Sequence, residues 1–247
     1  MTQLRSQCLL ILLLLLPFSA KGQEIETVEY ILERFIEAMG GPAAVERVNS
    51  VRLRGNLLYP NGSRNAITVL KKKPNKVRVV VNTGSVRFVQ GFDGQTPWFS
   101  RYAGRQVFHD RMRGDYAQRF IREAPLLSVL VAQGDTGIEV TRGPDIMVVN
   151  KACYTLIGTF PDGRRSEFDI DKAELRQLRI REYDEQGNLE VEIVPSNFER
   201  HGGIDFAMRI VHRSPDGEVK STLIIDEVIV NFGVLESAFS PPDGVRP

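Results

Sequence analysis

Three histidines, His109, His201 and His212, are the side chains from which proton transfer near neutral pH or imidazole ligation of a metal would have to start. None stands in the spacing that either chemistry needs. The H-E-x-x-H pattern, which sets two imidazoles on one helix face, is absent, and so is C-x-x-C. His109-Asp110 and His201-Gly202-Gly203 read as loop positions. His212 shares the alternation of Ile204, Phe206, Met208 and Ile210, which places it at the end of an inward-facing strand row. No G-x-S-x-G offers a nucleophilic serine. Gly40-Gly41 is an isolated pair closing a helix, and Asp169 and Asp171 flank a strand end, where solvated turn carboxylates are common. The residue types therefore point to binding and not to catalysis, with no cofactor and no metal expected.

Two short signals carry less. Lys71-Lys72-Lys73 precedes a turn and reads as a solvated hairpin tip in preference to a contact for acidic headgroups or an acidic partner. Asn61-Gly62-Ser63 matches a glycosylation sequon, but Asn-Gly is first of all a turn.

The elements that would position a ligand are mostly strands. From about Val51 to Phe232 the chain alternates apolar and polar residues between regular turn signals such as Pro161-Asp162-Gly163, Glu185-Gln186-Gly187 and Pro215-Asp216-Gly217. Such a succession of antiparallel hairpins makes a one-sided sheet whose apolar face must be covered. Two segments can cover it. Glu24 to Met39 carries Val28, Ile31, Leu32, Phe35, Ile36 and Met39 on one helical stripe, followed by Gly40-Gly41 and a short helix over Pro42 to Val48. Arg113 to Val131 has helical spacing interrupted at Pro125 and is expected to form two short hinged helices. The fold class expected is α+β, mainly antiparallel β, with an N-terminal helix and a mid-chain helical segment over the concave face.

Ahead of these lies a leader: Arg5, the apolar run Leu9 to Leu16, and Ala20-Lys21-Gly22 with the small-x-small pattern of a cleavage site. Residues 1–22 are read as a signal peptide and residues 23–247 as one domain, in a protein exported to an oxidising compartment. Cys8 precedes the apolar run and is not placed for lipidation. Cys153 is then the only remaining cysteine, so no internal disulfide forms and it is expected to be a small buried hydrophobe. After removal of the leader, 30 basic residues face 31 acidic ones, a balance that gives no case for nucleic acid.

Several stretches taken together resemble a family. Met39-Gly40-Gly41-Pro42-Ala43-Ala44 after the helix, Lys73-Pro74-Asn75-Lys76-Val77-Arg78, Phe92-Asp93-Gly94 followed by Trp98, Cys153-Tyr154-Thr155-Leu156, Phe168-Asp169-Ile170-Asp171, and Phe239-Ser240-Pro241-Pro242 resemble the bacterial outer-membrane lipoprotein-sorting proteins of LolA/LolB-like fold. The resemblance implies a half-open antiparallel β-barrel with helices over its mouth and a hydrophobic cavity for acyl chains. Strand parity then nominates the cavity lining: Val77, Val79, Val81, Val86, Phe88, Phe92 and Trp98 on the sheet, with Phe35, Leu126, Leu127 and Leu130 on the cover. The expected function is a carrier or sensor of a lipid or an acylated lipoprotein, and a monomer. The rival is an envelope interaction module, without a ligand, whose inward residues close on one another and whose partner is an envelope protein.

Overall fold

The computed structural model describes residues 26–245. Fourteen strands form one sheet in which every pairing is antiparallel. The first six are β1 Ser50–Leu58, β2 Arg64–Lys72, β3 Lys76–Thr83, β4 Val86–Phe92, β5 Pro97–Ala103 and β6 Gln106–Arg111. After a helical excursion come β7 Glu139–Arg142, β8 Ile146–Val148, β9 Lys151–Thr159, β10 Arg165–Asp171 and β11 Gln177–Tyr183. The last three are β12 Leu189–His201, β13 Ile204–Arg213 and β14 Val219–Val230. The spatial order β6-β5-β4-β3-β2-β1-β14-β13-β12-β11-β10-β9-β7 is two meanders joined where β1 meets β14. β6 and β7 are its two ends, so the barrel is open.

The helices are α1 Val28–Met39, α2 Pro42–Arg47, α3 Gly114–Arg122 and α4 Gln133–Thr136. Thr27 caps α1 by accepting a hydrogen bond from the Tyr30 N–H. Gly40 ends it at φ +145°, where a Cβ would lie 2.0 Å from the Gly203 carbonyl oxygen in the β12–β13 turn. The glycine pair thus lets the chain brush past another backbone and turn into α2. The leader expectation lies outside the described residues. Among the described residues no helix is long and apolar enough to cross a membrane.

The mid-chain segment departs from the two hinged helices expected. Only Gly114–Arg122 is helical before Pro125; residues 123–132 run as successive turns into the single turn of α4. Leu126 and Leu130, four apart as on a helix face, serve two separate cores instead, one beside α2 and one beside α1. His109 and Asp110, expected in a loop, lie on the edge strand β6. The lysine run is not a free tip either. The Lys71 ammonium donates to the Pro125 carbonyl at 2.9 Å, Lys72 to the Val234 carbonyl at 3.1 Å, and Lys73 to those of Val45 and Glu46 at 3.0 and 2.9 Å. Lys71 and Lys73 staple the sheet to its cover, and Lys72 holds the C-terminal segment after β14.

Candidate functional site: a lined gap under the covering segments

The covering segments seal the concave face in three places. α1 inserts Ile31 and Phe35 against Tyr154, Leu156, Phe168 and Ile170 of β9 and β10. α2 and Leu126 close over Val51, Ile204, Met208 and Val228. α3 lays Ala117 and Phe120 on Val77 and Phe92, with Met112 between them. Each fully buried Ile or Phe in these seals contributes roughly 1.5–3 kcal/mol of transfer free energy.

What the three seals leave uncovered is a cavity of about 250 Å³. Its floor is the concave face of β1, β2 and β11–β14, carrying Leu53, Lys71, Ile180, Ile193, Ile210 and Ile225. The register shows why these share a face. Phe168 pairs with Ile180, Ile180 with Ile193, Ile193 with His212, and His212 with Ser221, so one row runs straight across five strands. Its roof is Phe35, Ala38 and Met39 of α1 with Leu127 of the turn segment. Ile180, Ile193, Ile210 and Leu127 stay half-buried although they point inward.

Few polar groups reach this space. At one side stands Lys71, whose ammonium burial holds below its usual pKa while Glu123 pulls the other way. At the other, the Arg176 guanidinium bonds Asp205 at 3.1 Å and stacks 5.4 Å from the Phe198 ring. Farther along the same face, burial raises the Glu182 carboxyl to about 7, with Glu123 adding to the rise and Arg122 and Arg119 opposing it. Burial also lowers the His212 imidazole, against the pull of Glu123. Of the two serine–histidine contacts among the described residues, Ser221 Oγ to His212 Nδ1 is long at 3.4 Å, and Ser100 Oγ to His109 Nδ1 at 2.7 Å offers no nucleophile to solvent because Ser100 is wholly buried. Among the described residues, no cluster of His, Cys, Asp or Glu has the makings of a metal site.

Of the residues nominated from the sequence, Phe35, Leu126 and Leu127 line the cavity. Leu130 is buried beside α1. Val77 and Phe92 are covered by α3, and Val79 packs against them. Val81 and Phe88 lie on the same face but nearer the rim, in a separate groove of about 250 Å³ with Tyr59, Phe99 and Tyr116. Val86, half-buried, sits at the top of that face opposite Thr83 and Ala103. Trp98 is a correction. Phe92 pairs with Pro97, so Trp98 falls opposite Gly91 on the other face of the sheet. There its indole covers Gly91, donates to the Phe239 carbonyl at 2.9 Å and takes the Arg78 guanidinium 6.0 Å from its ring.

The sequence reading missed the floor of the cavity, Leu53, Ile180, Ile193, Ile210 and Ile225, all in β1 and in the C-terminal meander. Their alternation was visible, but which part of a long apolar face stays uncovered depends on where the cover lands.

No family model matches the sequence, and no curated protein matches it either. Solved structures do. A DUF1329 family protein from Desulfovibrio piger superposes with a TM-score of 0.61 at 12% identity, over 87% of this chain and 98% of that one. A LolA superfamily protein from Nitrosomonas europaea gives 0.61 at 15% identity, over 87% and 98%. An outer membrane lipoprotein-sorting protein domain from Vibrio parahaemolyticus gives 0.58 at 13% identity, over 84% and 97%. At these identities the likeness concerns architecture, and it agrees with the open, helix-covered sheet: the chain has the LolA-like fold.

Proposed function

We propose that this protein is a periplasmic carrier or sensor that holds a lipid, or the acyl part of a lipoprotein, in the gap between α1, the 126–128 turn and the concave face of β11–β14. The observation that carries the reading is that gap: an apolar cavity in which Ile180, Ile193 and Ile210 remain half-buried although they face inward. In the rival reading, an interaction module with a closed core, these side chains would meet one another. Binding would be by burial, each CH2 group contributing roughly 0.8 kcal/mol on leaving water. The neighbouring Vibrio parahaemolyticus fold, named for outer membrane lipoprotein sorting, supports the same class of ligand.

The test is native mass spectrometry of protein purified without detergent, then incubated with envelope lipid extract. Wild-type protein is expected to carry an acyl-containing adduct. Ile193→Asp with Ile210→Asp, which places two carboxylates on the cavity floor, is expected to lose it while keeping its circular dichroism. A clean apo mass after incubation, or an adduct that survives in the folded double variant, would sink this site.

A further inference from the structure

The near-neutral balance of the whole chain conceals a division of charge. Residues 50–113, which make β1–β6, hold 13 Lys and Arg against two Asp and Glu. Residues 139–230, which make β7–β14, hold 12 against 18. Most of the cations near the lower ends and the seam of the first meander have partners: Arg52 and Arg54 with Glu227, Lys72 and Lys76 with Glu236, and Arg78 with the Ala238 carbonyl. Arg64, Arg87, Arg101 and Arg105 do not. All four are exposed around the upper rim of β2–β6, and none has a carboxylate within 4.0 Å among the described residues.

The same rim carries aromatic surface. Ile67, Val81, Phe88, Arg101 and Phe108 form one row across β2–β6. Along it exposure rises from 9% at Ile67 to 40% at Phe88 and 53% at Phe108. α3 packs Tyr116 edge-on to Phe99 but leaves Tyr116 itself half exposed and this row uncovered. Exposed aromatics with an arginine between them, at a rim that also carries Arg105 and, from the other face of the sheet, Arg64 and Arg87, are the chemistry of an edge that dips into the headgroup layer.

We infer that the upper rim of β2–β6 docks on an anionic lipid bilayer, with Phe88 and Phe108 entering the headgroup region and the four rim arginines, from both faces of the sheet, meeting lipid phosphates. The acidic turns of the other meander, at Asp184-Glu185 and Asp216 to Glu218, close the same edge of the sheet beyond β14, so repulsion from anionic lipid confines the contact to the side of the first meander. This goes beyond the carrier reading and does not require a filled cavity. It places the protein against a source or acceptor of lipid.

Sedimentation of the protein with vesicles tests it, comparing an equal mixture of phosphatidylglycerol and phosphatidylcholine with phosphatidylcholine alone. Binding is expected to the mixture only and to weaken with salt. An arginine near an anionic surface strengthens partitioning about fivefold, so R64Q/R87Q/R101Q/R105Q should weaken it by roughly six hundredfold. F88S/F108S, which touches no charge, should weaken it too, and R209Q/K220Q on the other meander should not. The cavity variant I193D/I210D should bind vesicles like wild type, which separates docking from cargo. Equal binding to both vesicles, or no loss in the four-arginine variant, overturns the inference. So does vesicle binding by F88S/F108S equal to wild type together with competition by single-stranded DNA, which would mark a general polyanion surface.

Discussion

Burial changes the chemistry of Glu182 in the pH range around neutrality. Its carboxyl lies on the concave face, opposite Val191 on one side and Ser166 on the other, with Glu123, Arg122 and Arg119 facing it from α3 and its C-terminal cap, and Glu190 from β12. In the unfolded chain it gives up its proton near 4.5, in the fold near 7. Between those values the folded chain keeps a proton that the unfolded chain has lost. The stability this confers is full below about 4.5 and is lost as the pH rises through 7. Glu182→Gln stays neutral throughout, so the stability gap between variant and wild type is expected to widen from about pH 5 to about pH 8. At about 1.4 kcal/mol per pH unit, discounted for water at a half-buried site, the widening should be on the order of 1–2 kcal/mol. Urea denaturation at both pH values checks it, and a constant gap would refute the assignment. On the opposite face, Gly91 has its Cβ direction filled by the Trp98 ring at 2.3 Å. Gly91→Ala should therefore cost about 2–4 kcal/mol by overpacking. Because Trp98 is the sole tryptophan, its fluorescence is expected to red-shift in that variant as the indole is lifted off the sheet.

At the scale of the elements, the covering segments do two jobs with few residues. Ile31 is wholly buried and absent from the cavity lining, whereas Phe35 is both buried and part of the roof. Ile31→Ala is thus expected to cost about 2–5 kcal/mol without changing cargo, and Phe35→Ala to cost about 3–5 kcal/mol and enlarge the cavity. Thermal denaturation together with the adduct mass in native spectra distinguishes them, and identical cargo for both would contradict the roof. α1 was legible because its stripe is strictly periodic and its glycine stop unmistakable, and the strands were legible because hairpin turns punctuate them. The mid-chain helices were overread because Leu126 and Leu130 keep helical spacing while answering to two different cores. Trp98 was given the wrong face because the parity of β5 follows from the Phe92–Pro97 register. Gly91, a strand glycine that an aromatic could cover, was the local clue. The cavity floor was hidden for a further reason: alternation marks every inward residue alike, and only the landing of α1, α2 and α3 decides which ones meet a neighbour.

At the scale of the whole molecule, the sheet is two locally connected meanders held by a single nonlocal seam. Nearly all pairings within β1–β6 and β9–β14 join strands adjacent in sequence, whereas β1 pairs with β14, Val51 opposite Val230 and Leu58 opposite Thr222. The seam closes the longest loop in the chain, yet it lies beneath α2 and Leu126 and carries Val51 and Val228 into a continuous core. Its hydrogen bonds can open only when the cover lifts and the two meanders part, which is close to global unfolding. The ends of the sheet are different. β6 pairs on one side only and exposes Val107 and Phe108, while β7 is four residues long. Amide exchange is therefore expected to be slowest in β1 and β14 and to quicken stepwise toward β6 and β7, with α3 exchanging ahead of α1 because it rests on the outer strands of its meander. If cargo sits where proposed, between α1, the 126–128 turn and the second meander, loading the protein should slow exchange in α1 and β11–β13 and leave β4–β6 unchanged. Slowing confined to β4–β6 would instead put the apolar ligand in the rim groove, and the cavity beneath α1 would then be a packing gap.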